Sequence, residues 1–399
     1  MNDNSPSPPS APFWGRISDN PAAILVLLLL VAFAAILKPS IHGNDGVQNY
    51  VYLRSLLCDG DLDFSNEYAH YIARDSRWFD EKTELERDPV TGRPINLYGV
   101  GSSLLWAPWV LAADAAGRTA RWLGAGLEAD GYSRLYESAV GWASCFYASF
   151  GLFLVFAALR RLVSPWVALW AVIAVWLASP LFFYMYLHPS MSHANSFFLA
   201  ALLLWLYRGG DGLGRWAAMG LVGGLLALTR FQDAALLGAF APAELWRLYQ
   251  RRRDGGPMGH YLMDRLKRYA LFGVCAVIAF LPQLAAWNAL QGSPFSGPRG
   301  YIQQGRLTPF APAHCVEVLF SSKHGLLFWH PALAMGVIGL LLAGKDLRMQ
   351  LFCAAAFFIQ YWVISSWSIW WAGASFGHRM FISALPFLAF GVARLLESV

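Results

Sequence analysis

The chain's character is decided early, by NPAAILVLLLLVAFAAIL (Asn20–Leu37) and the polar stretch after it, KPSIHGNDGVQNY (Lys38–Tyr50). Asn20 is an N-cap residue and Pro21 suits a first helical turn, so a helix is predicted from Pro21. The run Pro21–Leu37 would rise about 25 Å, enough for one short membrane span. Ala32-Phe33-Ala34 resembles a signal-peptide cleavage site, but the apolar run continues past it and only Arg16 precedes it as a positive residue. Asp45 then places a carboxylate where the span gives way to a long polar loop.

Further apolar runs recur to the end of the 399 residues, of which 57% are hydrophobic and 14% charged. Soluble chains carry nearly twice that charge fraction. Period-2 alternation is missing, which excludes a transmembrane barrel and leaves an all-α polytopic membrane protein. Residues 1–20 read as a disordered cytoplasmic N-terminus and 21–399 as one transmembrane domain. Besides 21–37, spans are predicted at 135–158, 166–187, 194–207, 216–229, 232–248, 269–289, 325–343, 350–369 and 380–396, about ten in all. The stretch 97–116 contains Pro108, several glycines and Asp114 and is read as re-entrant or surface-lying. That choice places the basic connections Arg160-Arg161, Arg208 to Arg215, Arg247 to Arg268 and Lys345 to Arg348 on the cytoplasmic side. It also puts 38–133, the long first loop, on the exocytoplasmic face with loops 188–193, 230–232, 290–324 and 370–379. Gly220-x-x-x-Gly224 is ordinary close helix packing.

The net charge of +5 fits basic loops beside anionic membrane lipids. No nucleic-acid motif is present. The five cysteines make no metal spacing, and only Cys58 with Cys315 could form a loop disulfide.

Several residues on the exocytoplasmic side carry chemistry. Asp45 suits a general base taking a proton from an acceptor hydroxyl, or an N-cap for a helix starting at Gly46. Gly46–Leu57 reads as an amphipathic surface helix, with Val47, Tyr50, Val51 and Leu57 toward the membrane. Asp59, Asp61 and Asp63, with Glu67, alternate like a calcium loop, but Phe64 stands where Gly is needed and His70 where Glu is. Asp59, Asp61 and Tyr50 are therefore assigned to an acceptor-binding rim, and no cofactor or metal is expected, with a divalent cation as the minor alternative. Arg230-Phe231-Gln232-Asp233 marks a hairpin in which Arg230 holds a phosphate or pairs with Asp233. His188 and His193 would diverge by about 140° on a helix, a poor metal pair. Gly373-Ala374-Ser375-Phe376-Gly377 matches the G-x-S-x-G elbow but lies between apolar spans, so it reads as a glycine turn presenting His378 and Arg379 to an anionic head group. Loop 291–324 offers Arg299, Arg306, Lys323 and His324 as further basic residues, or as residues snorkelling at a span end.

Together, His42–Asp45, Asp59–Tyr68, Leu97–Trp109, Met191–Phe198, Arg230–Asp233, His324–Pro331 and Ser375–Pro386 resemble the GT-C superfamily of membrane glycosyltransferases. They look most like bacterial relatives of the protein O-mannosyltransferases and the lipid A aminoarabinose transferases. The resemblance implies inverting sugar transfer from a polyprenyl-phosphate-linked donor to a glycan, lipid or protein acceptor, on the outer side of a bacterial inner membrane. It implies Asp45 as catalytic residue. Arg230, Lys323, His378 and Arg379 are then the residues to stabilise the departing phosphate. The family's first loop often carries two adjacent acidic residues, whereas here Asn44 precedes Asp45. A polyprenyl-phosphate or lipid transporter and a non-catalytic scaffold of an envelope polysaccharide complex are the competing functions.

Overall fold

A computed structural model describes residues 19–75, 86–298, 307–308, 311–342, 344 and 346–398. Arg299, Gly300, Tyr301, Arg306 and Lys345, and most of the predicted disordered N-terminus, lie outside these residues. Among the described residues the fold is all-helical, with only two isolated β-bridges.

Helix α1 (Pro21–Ile36) begins as its sequence predicts: the Asn20 side chain accepts from the Ala22 and Ala23 amides at 3.1 and 3.4 Å. Leu25, Leu29 and Ala32 bury α1 in the larger of two hydrophobic clusters. The first loop then forms α2 (Gly43–Arg54), a π-turn through Asp59, and α3 (Ser65–Asp75). It returns through α4 (Gly101–Trp122) to α5 (Arg134–Leu159).

Helix α2 corrects the surface-helix reading. Val47, Tyr50 and Val51 are fully buried, in a second cluster with Phe64, Tyr68, Trp106 and Tyr136. The loop is a folded layer packed on α4 and α5. Helix α4 is continuous through Pro108, against the irregular segment predicted for 97–116.

Among the described residues four helices are long and apolar enough to cross a membrane: α5, Met258–Gln291, Leu347–Ser365 and Arg379–Ser398, with shorter apolar helices at Pro21–Ile36, Pro165–Leu177 and Leu213–Thr229. This is the make-up of a polytopic membrane protein, but not of ten continuous spans. The predicted span 166–187 breaks into α6 (Pro165–Leu177) and α7 (Leu181–Tyr186) at Pro180. Proline lacks an amide hydrogen and clashes with the preceding turn. Past α8 (His193–Arg208) and α9 (Leu213–Thr229), the predicted span 232–248 starts as a 3-10 segment, Phe231–Ala239, before α10 (Phe240–Arg253). Beyond α11 (Met258–Gln291) and α12 (Cys315–Phe320), the span 325–343 breaks at Pro331 into α13 (Leu326–Trp329) and α14 (Leu333–Leu341). The chain closes with α15 (Leu347–Ser365), a 3-10 turn Arg379–Ala384 and α16 (Leu385–Ser398).

Helices α9 and α11 run side by side in the same direction. A Cβ on Gly220 would lie 2.3 Å from the Phe272 carbonyl oxygen, and one on Gly224 2.3 Å from that of Ala276. Only glycine permits this approach. The start of α9 therefore sits with the first third of α11, and its end, at Thr229, with Gln283.

All five cysteines are free, so the Cys58–Cys315 disulfide does not form.

Candidate functional site

Four of the loops expected to share a face meet in one cleft of about 200 Å³, lined among others by Asp45, Tyr98, His193, Arg230, Trp367 and Arg379. The fifth adjoins it: the Thr308 amide donates to the Ser366 carbonyl at 2.9 Å.

Asp45 is placed by glycines. Gly43 has φ +73°, which an L side chain rarely adopts, and turns the chain into α2. A Cβ on Gly46 would sit 2.5 Å from the Ser190 hydroxyl, so the first turn of α2 presses on the 188–193 turn. The helix begins at Gly43 with His42 as its N-cap residue, and Asp45 lies within the first turn. The capping role for a helix starting at Gly46 is thereby set aside. A carboxylate there still gains from the helix dipole.

Both Asp45 oxygens are engaged. The Tyr98 hydroxyl donates to Oδ1 at 2.6 Å and Arg379 Nη1 to Oδ2 at 2.6 Å. Arg379 also donates to the Ala372 carbonyl at 3.0 Å. Ala372 and Gly373 are both left-handed, with φ of 61° and 67°, so the backbone here is shaped around the arginine. Tyr98 sits on a clamped segment. The Leu97 amide donates to Gln48 Oε1 at 2.8 Å and the Val100 amide to Gln283 Oε1 at 2.9 Å. A Cβ on Gly99 would overlap the Leu228 carbonyl.

Arg230 ends α9 in an extended conformation. Its Nη1 lies 2.6 Å from His193 Nδ1, and its Nε lies 3.5 Å from Asp233. The pairing with Asp233 read from the sequence exists, yet Arg230 still lines the cleft. Asp233 is fully buried and accepts from the Ser196 and Ser383 hydroxyls and from Gln360 Nε2. Those donors stand on α8, on the 3-10 turn that starts at Arg379, and on α15. One buried carboxylate thus ties together the segments that carry both cleft arginines.

The remaining predicted site residues lie elsewhere. Tyr50 is fully buried and donates to the Gly131 carbonyl at 2.8 Å, so it is no rim residue. Asp59 pairs with Arg54 and accepts from Asn66. Asp61 accepts from the Ser55 hydroxyl and the Asp63 amide, and Asp63 caps Ser65. These carboxylates close a local turn, and among the described residues no group of three or more His, Cys, Asp or Glu is arranged to hold a metal ion. Lys323 is exposed and lies over the Trp371 ring, 4.0 Å from its centre, outside the cleft lining. His378 is fully buried against Phe381. Burial pushes its imidazole down to about 3, helped by His324 and His330, so at neutral pH it offers no positive charge.

Ser375 is no hydrolase nucleophile. Its hydroxyl lies 3.2 Å from His324 Nδ1, but that nitrogen must give its proton to the Trp371 carbonyl at 2.8 Å. No strand precedes the turn among the described residues. His188 and His193 part as their spacing implies: His188 meets His42 (Nε2 to Nε2, 3.4 Å), while His193 meets Arg230.

Sequence reasoning missed Tyr98, which lies in the stretch Leu97–Trp109 but carries no chemical signal of its own there, and the part played by His193. No family model matches this chain, and no curated protein shows significant similarity to it.

Proposed function

We propose that the cleft is the active site of a glycosyltransferase that moves a sugar from a polyprenyl-phosphate-linked donor to an acceptor hydroxyl, with inversion, at the exocytoplasmic face of the membrane. The reading rests on one observation: a carboxylate from the first loop and two arginines from loops far along the chain border one small cleft. At about 200 Å³ it suits a polar head group rather than a whole lipid-linked sugar.

Asp45 takes the proton of the incoming hydroxyl. The acceptor oxygen bonds to the anomeric carbon as that carbon's bond to the phosphate oxygen breaks, and polyprenyl phosphate leaves as the anion. Arg230 and Arg379 hold that phosphate, giving charge-assisted hydrogen bonds that strengthen as it gains charge. A carboxylate oxygen can accept two hydrogen bonds, so Asp45 retains acceptor capacity beside Tyr98 and Arg379.

Purified Asp45→Asn and Asp45→Ala variants, assayed with labelled polyprenyl-phosphate sugars, test this. Transfer falls by about 10²- to 10⁴-fold in both if Asp45 is the base. Wild-type transfer in both removes the mechanism, and movement of unchanged lipid across liposomes would identify a transporter instead.

A further inference from the structure

The hairpin between α10 and α11 lies at the far end of the molecule from the cleft and plays no part in the chemistry above. Helix α11 has 34 residues and is about 51 Å long, against a hydrocarbon core of about 30 Å. Its apolar part, residues 269–289, accounts for about 31 Å of this. The end beyond Gln283 is held by the first loop, where Arg93 donates to the Ala289 carbonyl and Thr91 to the Leu290 carbonyl. The excess length therefore projects at the other end, from Met258 to about Arg268.

An exposed stripe on α11 runs through Leu281, Val277, Val274 and Ala270 at helical spacing. It continues without interruption to Leu266 and Met263, which are 64% and 54% exposed. The lipid-facing surface thus extends past the hydrocarbon into the level where Lys267 is also exposed. On α10, Leu245 and Tyr249 are exposed in the same way, one turn apart, and Arg252 and Arg253 follow them.

The charge of the hairpin divides in two. Between residues 244 and 268 seven Arg and Lys stand against three Asp and Glu. Arg247 and Arg265 turn inward onto Asp211 and Glu244, Arg268 onto Asp264, and Arg251 onto the Tyr261 ring. Arg252, Arg253 and Lys267 face outward, and among the described residues their one ion pair is an exposed contact of 3.6 Å from Arg253 to Asp254. Exposed cations interleaved with exposed Leu, Met and Tyr are the composition of an interfacial element that sinks its apolar side chains at the acyl boundary and meets anionic head groups.

We propose that the α10–α11 hairpin is a binding site for acidic phospholipid, with Arg252, Arg253 and Lys267 on the head group and Leu262, Met263 and Leu266 at the acyl boundary. The occupant is bilayer lipid, because the stripe that carries it is continuous with the membrane-facing side of α11.

The test uses the full chain in mixed micelles, titrated with fluorescent phosphatidylglycerol or phosphatidylcholine. Phosphatidylglycerol is expected to bind preferentially, with the preference shrinking at high salt. Each of R252Q, R253Q and K267Q should weaken the preference by about fivefold, while R252K/R253K retains it. Equal binding of both lipids by the wild type overturns the proposal. So does an R252Q/R253Q/K267Q variant that keeps the wild-type preference, or a loss of equal size in R160Q/R161Q. If the triple variant leaves lipid binding intact but loses an acidic protein partner, the hairpin docks protein and the proposal is wrong.

Discussion

The two ends of α9 carry similar residues put to opposite use. At its start, Arg247 and Arg265 converge on Asp211 and Glu244 at 2.7 to 3.4 Å, Arg268 reaches the Asp211 carbonyl, and Trp216 stacks under Arg265 at 4.7 Å. Within this clasp each of the four side chains is answered by another, and the clasp itself leaves nothing over to bind a ligand; the outward-facing Arg252, Arg253 and Lys267 lie apart from it. About 25 Å away along the helix, Arg230 and Arg379 meet Asp233 and Asp45 with a cleft between them. The same inventory makes a clasp at one end and an open pocket at the other. What differs is whether the partners come from neighbouring helices that close on each other, or from loops that stop short.

The sharpest way to break this contrast is at the carboxylates. Asp45→Asn should abolish most transfer, by about 10²- to 10⁴-fold, with little change in thermal midpoint. If transfer survives and the midpoint falls instead, the pocket is merely a second clasp. Arg230→Gln and Arg379→Gln should each weaken donor use by about 10- to 100-fold, the worth of one charge-assisted hydrogen bond. This is read as a rise in KM or a fall in kcat/KM.

At the clasp the expectation reverses. Arg265→Gln leaves Glu244 buried with only Arg247 beside it and should lower stability by about 3 kcal/mol in thermal or denaturant unfolding, while the protein that remains folded transfers at the wild-type rate. The smallest effect belongs to the layer beneath the cleft. Burial raises the Glu67 carboxyl to about 7 from an ordinary 4.5, against the pull of Arg54. A carboxyl raised on folding binds more protons folded than unfolded, so its contribution to stability is full below pH 4.5 and is lost as pH rises through 7. Glu67→Gln should flatten that decline in thermal midpoint between pH 5 and 8; an unchanged slope would show that Glu67 is ionised in the folded protein.

Much of this was legible in the chain. The Asn20 cap, the close packing at Gly220 and Gly224, and the grouping of loops 38–133, 188–193, 230–232 and 370–379 all follow from local rules. Arg residues at connections and apolar runs between them carry that information along the sequence itself. Asp45, Arg230 and Arg379 were found because a charge beside an apolar run is costly and so stands out. The failures have one cause. Tyr50 was placed at the surface by the amphipathic pattern of Gly46–Leu57 and His378 by the glycine turn before it, and burial is decided by what packs over them. Tyr98 sits in the cleft because Gln48 and Gln283 hold its segment, contacts that no spacing within the segment encodes. The 3-10 segment after Arg230 was equally invisible, since its residues would suit an α-helix.

The pairing of Asp45 with Arg379 spans 334 residues. During synthesis, Asp45 must therefore wait for 334 further residues before its cationic partner exists. Until then it is an unpaired carboxylate at the edge of an apolar helix, comfortable only in water. The pocket thus cannot form before Arg379 has been made, and a chain stopped short of Arg379 could keep α1 to α15 while having no site at all.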